Sequence, residues 1–75
     1  MRILKVRQLI YNDLSNRICF DDEALHCGSI FEVLIFNQAV GQAEWIPTRL
    51  ELDGNDQWYL TGLHQYQVSG LFARM

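Results

Sequence analysis

The side chains best suited to metal binding or nucleophilic catalysis are two cysteines and two histidines, Cys19, His26, Cys27 and His64. A structural zinc site normally has ligands in close pairs such as Cys-x-x-Cys. His26 and Cys27 are adjacent instead, and neighbouring residues of a strand point to opposite faces. A cysteine nucleophile also needs a positioned base, and no glycine-rich oxyanion loop accompanies Cys27. We therefore predict two reduced, structural thiols, with no metal and no cofactor.

Carboxylates are grouped in two turn-like segments, Asp21-Asp22-Glu23 and Asp53-Gly54-Asn55-Asp56. A glycosidase needs two carboxylates opposed across a cleft, and a chain of 8.8 kDa has little room for one. The second segment is also far shorter than the roughly twelve-residue loop that binds calcium. These patterns disfavour catalysis, and we predict that the chain is not an enzyme.

A binding role is better supported by the residue types in the second half of the chain. Trp45 and Arg49 are expected on one face of a strand, with Tyr59 beside them across a hairpin, and these types are enriched in binding hot spots. Alternatively, Trp45 covers an open end of a barrel and Arg49 pairs with an acid on a neighbouring strand. The acidic segments could imitate phosphates and engage a basic groove, or they could simply form a soluble coat. The predicted partner-binding residues are Trp45, Arg49, Tyr59, Asp21, Asp22, Glu23, Asp53 and Asp56.

Length and composition restrict the function further. Seventy-five residues, 49% of them hydrophobic, predict one domain over residues 1–75. The formal net charge is -3, and the six basic residues, Lys5 and five arginines, form no stripe of the kind that binds nucleic acid without sequence preference. We see neither a signal peptide nor an apolar run that could span a membrane. We expect a cytoplasmic protein that binds another protein.

Hydrophobic alternation predicts two principal strands. In residues 30–36, Phe31, Val33 and Ile35 share one face, and the opposite face is also largely apolar. We therefore predict a central strand that is covered on both sides. In residues 44–52 apolar and polar positions alternate, and Pro47 indicates a sheet edge or a bulge because proline lacks a backbone N–H. Residues 37–43 form the predicted connecting loop.

Weaker signals predict the remaining elements. Residues 9–11 and 18–20 form a hairpin across a turn at 12–16, and the Asp-Gly turn at 53–56 leads into a strand at 58–61. A last strand covers 71–74, whereas 63–69 is either a loop or one helical turn. Residues 1–8 are favoured as a strand over a helix. The predicted fold is mainly β: a small antiparallel five- to six-stranded partly open barrel or rolled sheet, SH3-like in size.

The order of several short motifs resembles a small bacterial family known only as a domain of unknown function. These motifs are Leu25-His26-Cys27-Gly28, Phe31-Glu32-Val33, Trp45-Ile46-Pro47-Thr48-Arg49-Leu50-Glu51, Trp58-Tyr59-Leu60-Thr61-Gly62-Leu63, and Gly70-Leu71 with Arg74. They extend over nearly the whole chain from about Arg7. The resemblance implies a setting in mobile elements of Gram-positive bacteria and assigns no activity. The chain departs from the family in its longer connector at residues 37–43.

Small size, net acidity and this resemblance favour a non-enzymatic protein-interaction module of a mobile element. Its most concrete form is an inhibitor of a host defence nuclease, as anti-CRISPR proteins are. One alternative is a small nucleic-acid-binding barrel in plasmid or transposon maintenance, with bases stacked on Trp45 or Tyr59 and phosphates held by Arg7, Arg49 and Arg74. Another is a structural or oligomerising module, a homodimer formed through an edge strand at residues 71–74.

Overall fold

The computed structural model describes residues 4–75, which form eight strands and no helix. The strands are β1 (Val6–Gln8), β2 (Ile10–Asn12), β3 (Arg17–Phe20), β4 (Glu23–Ala24), β5 (Ile30–Asn37), β6 (Gln42–Leu52), β7 (Trp58–Leu60) and β8 (Phe72–Arg74). Every pairing between them is antiparallel. A five-stranded sheet has the order β1-β8-β5-β6-β7, and a three-stranded sheet has the order β2-β3-β4. Within residues 4–75 there is accordingly no helix long and apolar enough to cross a membrane.

The prediction of a small, mainly antiparallel β fold is confirmed. The strands are shorter and more numerous than the five or six expected, and the two sheets do not close into a barrel. The additional strand, which the sequence pattern does not predict, is β4. It pairs antiparallel with β3 after a turn of only two residues, Asp21 and Asp22. Asp21 takes a positive φ of 59°, which allows this sharp reversal.

The hairpin of β5 and β6 is the longest element of the fold. Its register runs from Ile30 opposite Arg49 to Asn37 opposite Gln42. Pairing thus continues into the predicted loop and leaves only residues 38–41 unpaired. The turn is closed by Asn37, whose side-chain Oδ1 accepts a hydrogen bond from the amide of Ala39 and whose carbonyl accepts one from Gly41. Gly41 has a φ of 70°, a value that glycine adopts without steric cost.

One hydrophobic core lies between the two sheets. The large sheet contributes Phe31, Val33 and Leu50, and the small sheet contributes Ile18 and Phe20, all at most 4% exposed. The alternation predicted for β5 and β6 therefore places the expected side chains in the core. Within residues 4–75 the buried set is Leu9, Ile18, Phe20, Leu25, Phe31, Val33, Ile35, Leu50, Leu60, Val68 and Ala73, together with Thr48.

The prediction that β5 is covered on both sides is wrong. The strand is central in the large sheet, but the small sheet packs on only one of its faces. Ile30 and Phe36 point away from the core and are exposed. The physical reason is the amount of chain available, because three short strands suffice to cover one side of a five-stranded sheet and not two. We call the side turned away from the core the outer face; its large apolar residues are Val6, Ile30, Leu34, Phe36, Trp45 and Phe72.

Leu9 is the point at which the first strand passes from one sheet to the other. β1 pairs with β8 in the large sheet, and β2 pairs with β3 in the small one. The amide of Leu9 donates to the carbonyl of Leu71, and its own carbonyl accepts from Gly70. The strand predicted in residues 1–8 is confirmed for Val6–Gln8, while residues 1–3 lie outside the described part of the chain.

The suggestion that residues 71–74 form an exposed edge strand is also wrong. β8 lies between β1 and β5 and pairs with both, so the edges of the large sheet are β1 and β7. Of the edge and the bulge predicted for Pro47, the structure shows the edge: Pro47 faces Glu32 of β5 on one side, and β7 pairs only with Leu50–Leu52. Residues 63–69 precede β8, and the sequence predicts either a loop or one helical turn for them. The structure shows a loop of turns.

Candidate functional site

A three-residue cluster occupies the centre of the outer face. Glu32 and Arg74 are directly opposite each other on β5 and β8, and Arg74 Nε donates to Glu32 Oε1 at 2.7 Å. The guanidinium of Arg74 also lies over the ring of Trp45, 4.5 Å from its centroid. Both the charge and the planar shape of arginine suit this position, since the aromatic face attracts a cation. The cluster draws one residue from each of three adjacent strands, β8, β5 and β6, and contains no uncompensated charge.

A second polar group lies on the same face towards the β7 edge. Arg49 Nε and Glu51 Oε1 form an ion pair at 2.8 Å within β6, because residues two apart in a strand share a face. Tyr59 is the cross-strand partner of Glu51, and its ring stacks on His64 with 4.6 Å between centroids. Arg49 therefore pairs with an acid on its own strand, not on a neighbouring one.

The structure brings the three predicted contact residues Trp45, Arg49 and Tyr59 to this one face. Trp45 does not close a barrel end; it lies opposite Leu34 in the middle of the sheet. Around these residues the face is apolar and exposed. Ile30 is 75% exposed, Phe36 59% and Phe72 49%, although each is a large hydrophobic side chain.

The two predicted acidic segments lie at opposite edges of the large sheet. Asp21 lies near the β1 edge, where its Oδ2 is 3.3 Å from Arg7 Nε, and Asp22 and Glu23 follow it in the turn before β4 and at the start of that strand. Asp53 and Asp56 are in the turn that joins β6 to β7, the strand at the opposite edge. The predicted acids thus form two patches, one at each edge, and not one continuous surface.

The turn before β7 owes its shape to aspartates more than to the predicted Asp-Gly pair. Oδ1 of Asp53 accepts hydrogen bonds from the amides of Asn55 and Gln57, at 2.8 and 3.0 Å. The positive φ of the turn, 59°, belongs to Asp56, whereas Gly54 does not have one. The carboxylate of Asp53 is therefore committed to the backbone of its own loop.

The cysteines and histidines are not gathered into a reactive group. His26 Nδ1 contacts the backbone oxygen of Cys27 at 3.3 Å, and His64 is stacked on Tyr59. Cys19 is partly buried in β3, and Cys27 is exposed in the connection to β5. Among residues 4–75, no three histidine, cysteine, aspartate or glutamate side chains converge in a way that could hold a metal ion.

Sequence reasoning missed the apolar part of the outer face, namely Val6, Ile30, Phe36 and Phe72, and the central pair of Glu32 and Arg74. A signal was present in β5, where both faces are apolar. The same pattern is produced by a strand buried on both sides and by a strand with one face kept for a partner. The pairing of Arg74 with Glu32, 42 residues apart in sequence, has no local signature.

Comparison with known proteins gives one match. No curated protein and no solved structure matches the chain. Residues 7–75 match the model of a family described as a domain of unknown function, DUF5348. This range begins at the second residue of β1 and includes the rest of both sheets, so that Val6 is the one named outer-face residue outside it. The chain belongs to the DUF5348 family.

Proposed function

We propose that this chain is a non-enzymatic protein-interaction module and that the outer face is its binding surface. The observation that carries the proposal is the contrast along β5, where Val33 is fully buried while Ile30 and Phe36 are 75% and 59% exposed. Soluble monomers rarely expose contiguous apolar patches larger than a few hundred Å² without a functional reason. Trp45 and Arg74 at the centre are of the types that dominate binding energy in protein interfaces.

The same geometry argues against direct nucleic-acid binding. The three arginines that could hold phosphates, Arg7, Arg49 and Arg74, each pair with a carboxylate, at 3.3, 2.8 and 2.7 Å. A phosphate would have to displace these acids and would meet their negative charge. The candidate stacking rings are also engaged, since Trp45 lies under a guanidinium and Tyr59 lies against His64.

The test of the module is affinity capture from a nuclease-treated Gram-positive bacterial lysate with the tagged chain and two variants. The first variant, Ile30→Glu with Phe36→Glu, places charge on the outer face; the second, Leu14→Glu, changes a side chain that is 96% exposed in the β2–β3 turn. We expect a protein that is retained by the wild type and by Leu14→Glu and is lost with the outer-face variant, and that binds again when purified. Equal retention by all three would contradict the assignment of the outer face.

In its more specific form, the proposal is that the module belongs to a mobile element, acts in the cytoplasm of a bacterial host and inhibits a nucleic-acid enzyme of host defence. Two features support this form. The net charge of -3 favours encounter with a basic groove. The acidic turns at the β1 and β7 edges carry exposed carboxylates, among them Asp22 and Asp56, that such a groove would meet.

This form is tested on the captured enzyme with charge reversal at the edges. Asp22→Lys and Asp56→Lys change one exposed acid at each edge, and Asp13→Lys makes the same change in the β2–β3 turn as a control. We expect the wild type and Asp13→Lys to inhibit nucleic-acid cleavage and the edge variants to inhibit it more weakly, with the difference shrinking at high salt. If the wild type leaves cleavage unchanged, the inhibitor form is wrong. The affinity capture then decides alone whether the chain is a protein-interaction module.

A further inference from the structure

We infer that the outer face binds a second copy of the same chain, giving a symmetric dimer in which two large sheets pack against each other. This inference rests on the proposed function, because it names the occupant of the proposed binding surface. The first argument is the extent of the apolar surface. Val6, Ile30, Phe36 and Phe72 are each between 46% and 75% exposed. With large side chains offering roughly 150–250 Å² each, they expose on the order of 500 Å² of apolar area.

The charge of the outer face favours a second copy over a strongly charged partner. The chain carries a net charge of -3, yet the charged groups that we place on this face cancel, as Arg74 pairs with Glu32 and Arg49 with Glu51. Two such faces can approach without like-charge repulsion. A basic groove would gain more from the acidic edges, which stay outside this interface and remain available to another partner.

The area of the face matches what a modest dimer requires. A standard interface buries roughly 800 Å² on each partner, and the apolar patch would supply more than half of that, with its polar margin supplying the rest. Stacked sheets pack about 10 Å apart with their strands nearly aligned. Because a two-fold interface uses the same patch on both subunits, a face whose charges cancel and whose centre is bordered by exposed apolar side chains meets that requirement.

The shape of the molecule adds a further argument. The described part of the chain measures 37 × 32 × 18 Å and is therefore thin in one direction. A layer this thin has much surface for its volume and gains stability when one broad face is covered. Trp45 and Arg74 at the centre of the face would then be removed from water together with their partner Glu32, which leaves no charge unpaired.

The experiment measures mass in solution against concentration. Sedimentation equilibrium of the wild-type chain between about 1 μM and 1 mM, a span of roughly 4 kcal/mol in binding free energy, should show the mass rising from 8.8 kDa towards twice that value. The rise should persist in high salt, because the interface is apolar and neutral. The midpoint of thermal unfolding should rise with concentration over the same range.

The variants locate the interface. Ile30→Glu with Phe36→Glu should weaken association by at least about a hundredfold, because the interface would bury two added carboxylates, and Arg49, the cation opposite residue 30, is already paired with Glu51. The monomer of this variant should fold, because the side chains of Ile30 and Phe36 are both exposed. Residue 30 also lies opposite the cationic Arg49. Leu14→Glu should associate as the wild type does. A wild type that stays monomeric up to about 1 mM, or a dimer that the outer-face variant leaves intact, overturns the inference; loss of a captured partner with the same variant would still support the protein-interaction module.

Discussion

Three residues other than glycine have positive φ in the described chain, Asn16, Asp21 and Asp56, and their surroundings differ. Asn16 is held in this conformation from two sides: its carbonyl accepts a hydrogen bond from Trp58 Nε1, and its Oδ1 accepts one from the Tyr11 hydroxyl. Asp56 is exposed, and its backbone amide donates to the carbonyl of Asp53 at 3.2 Å. A left-handed conformation costs a residue with a Cβ about 1–2 kcal/mol, and glycine avoids this cost.

The first prediction follows for Asp56. Asp56→Gly should raise the free energy of unfolding by about 0.5–1 kcal/mol, since relief of the left-handed strain exceeds the entropy that glycine adds to the unfolded chain. Urea unfolding of the wild type and the variant measures this difference. Asp13→Gly is the matched control, because it removes the same charge from an exposed turn position whose φ is not positive. It should be neutral or destabilising, and equal stabilisation by both variants would show that charge, not strain, is responsible.

At the scale of elements, Leu9, which lies between the short strands β1 and β2, stabilises the fold through both its side chain and its backbone. It is 0% exposed, and both of its backbone groups bond to the segment before β8. It thereby fixes where β1 ends and β2 turns into the other sheet. Leu9→Ala should lower the free energy of unfolding by about 2–5 kcal/mol, the usual cost of a cavity in place of a buried leucine.

Urea unfolding of Leu9→Ala and of Leu14→Ala compares the same leucine-to-alanine change at a buried and at an exposed position. The difference between them is the contribution of core packing. Leu14 is 96% exposed, so its replacement should change the free energy of unfolding by less than about 0.5 kcal/mol. Similar costs at the two positions would mean that Leu9 does not anchor the crossing between the sheets. A chain of this size has a small margin of stability, so Leu9→Ala is best measured in a stabilising background such as Asp56→Gly.

The two long strands show how much of the fold the sequence predicts. Period-two alternation predicts that Phe31, Val33 and Ile35 share one face of β5, and this is the face buried in the core, because side chains alternate strictly along a strand. Pro47 indicates an edge or a bulge, and the structure shows the edge, where its missing N–H is tolerated. Short strands carry less signal: β4 has only two residues, too few for any alternation.

What the sequence could not predict depends on contacts between distant segments. The insertion of β8 between β1 and β5 brings Arg74 to Glu32 and Trp45, and no local pattern encodes that pairing. The location of Trp45, Arg49 and Tyr59 on one face was predictable from alternation and one hairpin. The openness of that face was not, because an apolar strand face looks the same whether the protein's own chain or a partner covers it.

At the scale of the whole molecule, the two sheets share one core and are linked by hydrogen bonds. Ile18 of the small sheet is buried in the same cluster as Leu50 and Leu60 of the large one. Trp58 of β7 packs against this cluster and donates through Nε1 to the carbonyl of Asn16, in the turn before β3, at 3.0 Å. Neither sheet has a second apolar core of its own, so neither should remain folded without the other.

The third prediction is therefore that the chain unfolds in one cooperative transition. Trp45→Phe leaves Trp58 as the single tryptophan, and its fluorescence reports the junction between the sheets, while far-ultraviolet circular dichroism reports all strands. The two signals should give the same midpoint and slope in urea at low protein concentration, where the chain is monomeric. If Trp58 becomes exposed before the circular dichroism is lost, the sheets separate while still folded. The contacts of Trp58 and Asn16 would then be a docking interface between two units instead of part of one core.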